Sequence, residues 1–252
     1  MRLIITHSYD ESATLCAKMI YDTVSKKKDA LLGLATGTTP VPVYEKLVQA
    51  HKKGDVDFSQ VRSVNLDEYI GLSGDDPNSY LYFMRKNLFD PLGIPLSRII
   101  IPNGQEPVSQ ELERLNAFAD SNIIDIQLLS VGVNGHIGFN EPSNVFHNKY
   151  HLVSLTDKTR QSNSRLFNSI DEVPTHAITM GIGGIMGAKC IAFIATGNEK
   201  LVAMKAILED YDVTPQIQGT ILKFHQNCTI FLDKNLARNI KPSANVEVSY
   251  YG

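Results

Sequence analysis

Short apolar runs alternate with amphipathic stretches along the whole sequence. Leu3–Thr6, Leu31–Ala35, Val61–Leu66, Ile99–Ile101, Ile124–Val131, Ala177–Met180, Cys190–Ala195 and Thr229–Leu232 read as strands. Asp10 is positioned to cap a helix that reaches about Lys26, with Ala13, Cys16, Ala17, Ile20 and Val24 on one face. Further helices fit Val43–His51, Ser79–Leu88 and Gln110–Ala119. Each strand needs cover on two faces, and each helix needs a surface for its apolar stripe. A mostly parallel sheet with helices on both faces satisfies both needs, so the expected class is α/β. With 252 residues and neither repeats nor a long linker, one domain spanning 1–252 is expected.

Bulk properties narrow the function classes. A formal charge of −3 provides no global basic field, so nucleic acid is not an expected partner, and phosphate recognition must be local. No stretch approaches the ~18 uninterrupted apolar residues of a membrane span, and Met1–Thr6 is too short an apolar run for a signal peptide. Cys16, Cys190 and Cys228 form no CxxC pair and sit in or beside apolar runs. They are expected to be reduced and buried, which suits a cytoplasmic protein.

In open parallel sheets ligands bind beyond the carboxyl ends of the strands, so the residues that follow each strand carry the chemistry. Three strand ends stand out. After Leu31–Ala35 comes Thr36-Gly37-Thr38-Thr39-Pro40, where glycine, hydroxyls and a helix start can cradle an anion. An ordinary capped turn fits that segment equally well. It lacks the Gly-Lys-Ser/Thr of a nucleotide-binding loop. After Val61–Leu66 come Asp67 and Glu68. Adjacent residues of a strand point to opposite sides, so only one, Asp67, is expected to face a site. After Ile124–Val131 comes Gly132-Val133-Asn134-Gly135-His136-Ile137-Gly138-Phe139-Asn140-Glu141-Pro142. Small residues there allow close approach to His136, a proton donor or acceptor near neutral pH. Glu141 is a candidate partner for the imidazole, and Asn134 a candidate hydrogen-bonding group.

Other signals are weaker. Met180–Gly187 suggests a dinucleotide loop, but Met186 stands where the third glycine belongs; close helix packing explains it better. His147 and His151 lie four apart without the flanking pattern of a metal site, and no metal is expected.

Several blocks resemble the glucosamine-6-phosphate deaminase family: Leu-Ala-Thr-Gly-Thr-Thr-Pro (34–40), Asn-Leu-Asp-Glu-Tyr (65–69), Gly-His-Ile-Gly-Phe-Asn-Glu-Pro (135–142), Asn-Ser-Arg (163–165) and Gly-Asn-Glu-Lys (197–200), in the family's order. The resemblance implies a Rossmann-like fold with a mobile lid at approximately 155–173. It implies a cofactor-free enzyme of amino-sugar catabolism that turns glucosamine 6-phosphate and water into fructose 6-phosphate and ammonium. It assigns Asp67 as the base that moves a proton between C2 and C1, His136 as the group that opens the sugar ring, and Glu141 as its carboxylate partner. Thr36, Gly37, Thr38 and Thr39, with Arg165 and Lys200, are the implied phosphate ligands.

The sequence departs from the family pattern at two places. Many relatives carry Asp where Asn134 stands. Asn can orient the imidazole but cannot stabilise its charge, so Glu141 is expected to carry most of that role. Long hexameric relatives bind N-acetylglucosamine 6-phosphate allosterically, and their basic pattern is not kept across Phe146–Ser154, nor is their longer tail after Gly252. A monomer or small homo-oligomer is therefore expected rather than an allosteric hexamer. A lactonase or isomerase on the same fold, and a non-catalytic sugar-phosphate sensor, are the rival readings.

Overall fold

The computed structural model describes residues 1–164 and 167–251. In chain order the elements are β1 (Arg2–Thr6), α1 (Tyr9–Lys26), β2 (Leu31–Leu34), α2 (Val41–Lys53), β3 (Arg62–Asn65), β4 (Asp67–Tyr69) and α3 (Tyr80–Met84). A π-helical turn (Arg85–Phe89) leads into α4 (Asp90–Leu92), then β5 (Ile99–Ile100), α5 (Val108–Ser121), β6 (Ile126–Leu129), β7 (His151–Ser154) and α6 (Asp157–Asn163). There follow β8 (His176–Thr179), α7 (Ile182–Met186), β9 (Ile191–Ala195), α8 (Leu201–Leu208), β10 (Cys228–Asp233), α9 (Lys234–Ala237) and β11 (Glu247–Tyr251).

Eight strands form one sheet in the order β11-β1-β10-β9-β6-β2-β3-β5, with every pairing parallel. The α/β expectation therefore holds. The chain moves from β2 to β3 and β5 on one side, then returns to place β6 on the other side of β2. That makes the gap between β2 and β6 a topological switch point, where loops diverge and leave a crevice.

Strand β9 explains how the core is divided. Ile191, Phe193 and Ala195 pack into one apolar cluster, and Ala192 and Ile194 into the other. This is the two-residue period of a strand buried on both faces. The first cluster includes Leu115 of α5, Ile182 and Ile185 of α7 and Met204 and Ile207 of α8; the second includes the α1 stripe and Val43, Tyr44 and Leu47 of α2. Truncating the buried Phe193 to Ala should cost about 3–5 kcal/mol, because the ring is fully enclosed.

Local chemistry moved several boundaries. The cap of α1 is Ser8, whose extended backbone lets its hydroxyl accept from Glu11 N–H; Asp10 lies in the first turn and pairs with Lys46. Ser79 caps α3, and the helix turns π-helical at Arg85. There the Asn87 side chain donates to the Phe83 carbonyl, and Pro91, just beyond, has no N–H to give. Cys16 and Cys228 are buried free thiols, while Cys190 is only half-buried. The glycines of Met180–Gly187 serve packing: a Cβ on Gly183 would stand 1.7 Å from Asn148 Oδ1. No described helix is long and apolar enough to cross a membrane.

A second, antiparallel sheet, β4-β8-β7, lies beyond the parallel sheet that the strand pattern predicts. It matters for function. Strand β4 begins with Asp67, paired with Thr179 of β8, and Thr179 Oγ1 accepts from Phe139 N–H at 3.0 Å. The Asn140 side chain donates to the carbonyls of Ile137 and Met180. Strand β8 thus holds the Asp67 segment and the His136 loop against each other.

Candidate active site

Four neighbouring strands, β9, β6, β2 and β3, end at one cleft of about 560 Å³. Thr36–Thr39 follow β2, Asp67 follows β3, Asn134 and His136 follow β6, and Lys200 follows β9; all line it. Glu141 lies behind this lining, buried and reaching the cleft through its neighbours. Arg165 lies outside the described residues.

The 36–39 loop is held from below by two phenols. Tyr9 donates to the Thr39 carbonyl and Tyr44 to the Ala35 carbonyl. Gly37 and Thr38 are exposed at the mouth, and α2 begins directly after, so its unpaired N–H groups lie at this end. Lys200 is buried; its Nζ donates to Thr39 Oγ1 at 2.9 Å and Ser130 Oγ at 3.2 Å. Burial brings the ammonium down to about 8, against the opposing pull of Glu199. Two hydroxyls and a desolvated cation thus meet at a helix start, a set of groups chemically suited to an anion.

Asp67 and Glu68 point apart. Asp67 faces the cleft, whereas Glu68 lines a separate cavity between α3 and α5. Burial, and then the charge of Glu68, push the Asp67 carboxyl up to about 8. A carboxylate poised there is a far stronger base than an exposed one.

His136 rests directly on the backbone of Gly132. A Cβ at 132 would stand 2.2 Å from Nε2, so only glycine lets the imidazole occupy this position. Nδ1 lies 3.6 Å from Glu141 Oε2, within ion-pair range but long for a hydrogen bond. Asn134 donates to the same Oε2 at 2.8 Å and accepts from His136 N–H through Oδ1 at 3.2 Å. Thr159 donates to the other oxygen, Oε1. Burial alone would raise the Glu141 carboxyl, but His136, Thr159 and Asn134 together hold it below its usual range. Glu141 is thus a carboxylate held in its charged form 3.6 Å from the imidazole.

Sequence patterning does not single out Ser130, Thr159 or Tyr80, which line the cleft together with Asn163 of the 163–165 block. Ser130 carries a readable signal, being the first polar residue beyond β6. Thr159 and Asn163 are brought in by α6: Thr159 reaches Glu141, and Asn163 donates to the Tyr69 hydroxyl at 2.7 Å. Tyr80 also donates to that hydroxyl, at 3.3 Å.

The chain is similar to known proteins over nearly its full length. The family described as glucosamine-6-phosphate isomerases/6-phosphogluconolactonase matches residues 6–224. A glucosamine-6-phosphate deaminase of Clostridium perfringens (strain ATCC 13124) is 44% identical over 243 residues, covering 96% of this chain and 100% of that protein. A second, from Thermoanaerobacter sp. (strain X514), is 43% identical over 242 residues, covering 94% of each. The solved structure of a monomeric glucosamine-6-phosphate deaminase superposes with a TM-score of 0.91 at 40% identity, covering 94% of this chain and 99% of that one. The 6-phosphogluconolactonase of Trypanosoma cruzi shares the fold at a TM-score of 0.73 and 17% identity, covering 95% of this chain and 97% of that one. The chain belongs to the family of glucosamine-6-phosphate isomerases and 6-phosphogluconolactonases.

Proposed function

We infer that the protein is a glucosamine-6-phosphate deaminase, converting glucosamine 6-phosphate and water to fructose 6-phosphate and ammonium. One observation carries this: the buried Asp67, and His136 backed by Glu141, face one cleft with Lys200 and the 36–39 loop, in a chain similar over nearly its full length to proteins of that activity. The lactonases match at 17–20% identity and support the fold alone.

The phosphate binds Lys200 and the 36–39 loop, with Arg165 as a further ligand, and acts as a remote handle that orients the reacting carbons. Imidazolium at His136 delivers a proton to the ring oxygen as the C1–O5 bond breaks, the imidazole left behind takes the O1 proton as the C1 carbonyl forms, and Glu141 stabilises the imidazolium. Asn134 orients the ring and Glu141 without adding charge. Ionised Asp67 takes the C2 proton and returns it to C1. Water adds at C2 of the resulting imine, and the carbinolamine expels ammonia, leaving the ketone of fructose 6-phosphate. Acid and base come from different loops because their targets lie on different parts of the sugar.

The segment 155–173 acts as a lid. Supporting this, α6 reaches the site through Thr159 to Glu141 and Asn163 to Tyr69, while Arg160 ties it to the carbonyls of Ile170 and Val173. The protein works in the cytoplasm as one domain, without nucleic acid, as a monomer or small oligomer; its similarity to a monomeric deaminase favours this assembly over an allosteric hexamer. The test is a parallel assay with glucosamine 6-phosphate and 6-phosphogluconolactone. Ammonium from the first with no hydrolysis of the second is expected; lactone hydrolysis without ammonium would overturn the assignment.

A further inference from the structure

Glu68 is a buried carboxylate to which the reaction above gives no role. It is 3% exposed. Its Oε1 accepts from the backbone N–H of Tyr69 and of Tyr80, both at 2.9 Å, and its Oε2 accepts from Leu81 N–H at 3.0 Å. Tyr80 and Leu81 are the first residues of α3, so Glu68 satisfies two of the donors that a helix start leaves open. Tyr80 in turn lines the cleft and touches Tyr69.

The charge of Glu68 has no cationic partner within ion-pair distance among the described residues. Arg114 lines the same cavity, but its guanidinium is engaged by Glu111 at 2.6 and 2.8 Å and by the Ile101 carbonyl at 2.9 Å. Asp76 adds a further negative charge near Glu68. On the side of Asp67, the phenols of Tyr44, Tyr69, Tyr80 and Tyr150 are neutral, and His136, Glu199 and Lys200 share the cleft. Along the chain, the nearest ionisable group to Asp67 is the Glu68 carboxyl one peptide away.

We propose that Glu68 is a positioning residue for the reaction: its carboxylate ties the strand that carries Asp67 to the helix that carries Tyr80, and its negative charge holds the Asp67 proton. The charge and the tie have separable consequences. Charge acts on the pH at which Asp67 becomes a base. The tie acts on where Tyr80 stands, and so on substrate binding. The direction of the charge effect matches the raised Asp67 carboxyl, where Glu68 is the second cause after burial.

The experiment titrates Asp67 directly, by carbon-13 NMR of aspartate-labelled protein with the D67N variant to assign the signal, alongside steady-state kinetics. Glu68→Gln keeps the shape and removes the charge; it should lower the Asp67 midpoint by about one pH unit and raise KM. Glu68→Asp keeps the charge but falls one methylene short of α3; it should leave the midpoint in place and raise KM severalfold. An unmoved midpoint in Glu68→Gln, or an equal shift in Glu68→Asp, would overturn the proposal. Should Glu68→Gln not fold, an unchanged KM in Glu68→Asp overturns it. The inference rests on Asp67 as the base of the deaminase reaction, yet the NMR midpoint is read without substrate. A protein that releases no ammonium therefore counts against the function and leaves the charge effect separately measured.

Discussion

Burying Asp67 has a thermodynamic cost that can be measured without any substrate. The carboxyl rises from 3.8 in an exposed setting to about 8 in the fold. A raised acid pKa means the folded state keeps a proton that the unfolded state gives up. The folded state therefore loses stability as pH climbs from about 4 to about 8. Between pH 5 and pH 8 the gap spans about three pH units, and each is worth 1.36 kcal/mol, so the loss is about 4 kcal/mol. Glu68, pushed up to about 7 mainly by its own burial, tilts the same way but is present in both proteins compared. Asp67→Asn keeps the shape and abolishes the ionisation. For a chain of this size 1 kcal/mol moves Tm by roughly 2–4 °C. Melting curves of wild type and Asp67→Asn, followed by circular dichroism, should separate by about 10 °C more at pH 9 than at pH 5, with the variant the more stable at high pH. Two pH–Tm curves that run parallel would refute the reasoning, because Asp67 would then ionise as easily folded as unfolded.

Further consequences concern the site itself. Productive free enzyme needs Asp67 ionised and both Lys200 and His136 protonated; Asp67 and Lys200 titrate at about 8, so kcat/KM should trace a bell whose maximum lies no higher than about pH 8, checked by an ammonium assay across pH. Glu141→Gln removes the charge that favours imidazolium and should lower kcat by about 10²–10⁴-fold. Asn134→Ala should cost much less, and a near-normal rate in Glu141→Gln would sink this division of labour. Gly132→Ala drives a methyl into the space of the His136 ring and should reduce activity by at least about 10²-fold while leaving the melting temperature nearly unchanged.

Much of this was legible in the sequence where a pattern is local. The α1 stripe Ala13, Cys16, Ala17, Ile20 and Val24 is buried to the last residue. The strand-end rule led to the 36–39 loop, Asp67 and His136, because polar residues directly after apolar runs have few other reasons to be there, whereas Lys200 came from the family resemblance alone. The rest depends on contacts that no local window holds. Strand β4 is three residues, two of them acidic, and exists only through pairing with β8. Strand β11 is exposed along its length, so it shows no alternation between buried and exposed positions. Thr159 joins Glu141 across eighteen positions of sequence. Nothing in either segment announces that contact. The same holds for Glu68, which reads as half of an acidic pair until its three amide partners are seen.

The deaminase reaction requires Asp67 to carry one proton from C2 to C1. Glucosamine 6-phosphate labelled with deuterium at C2 tests this directly. Wild-type enzyme should release ammonium and yield fructose 6-phosphate with part of the deuterium at C1, and Asp67→Asn should form almost no product. Fructose 6-phosphate appearing from Asp67→Asn at the wild-type rate would contradict it.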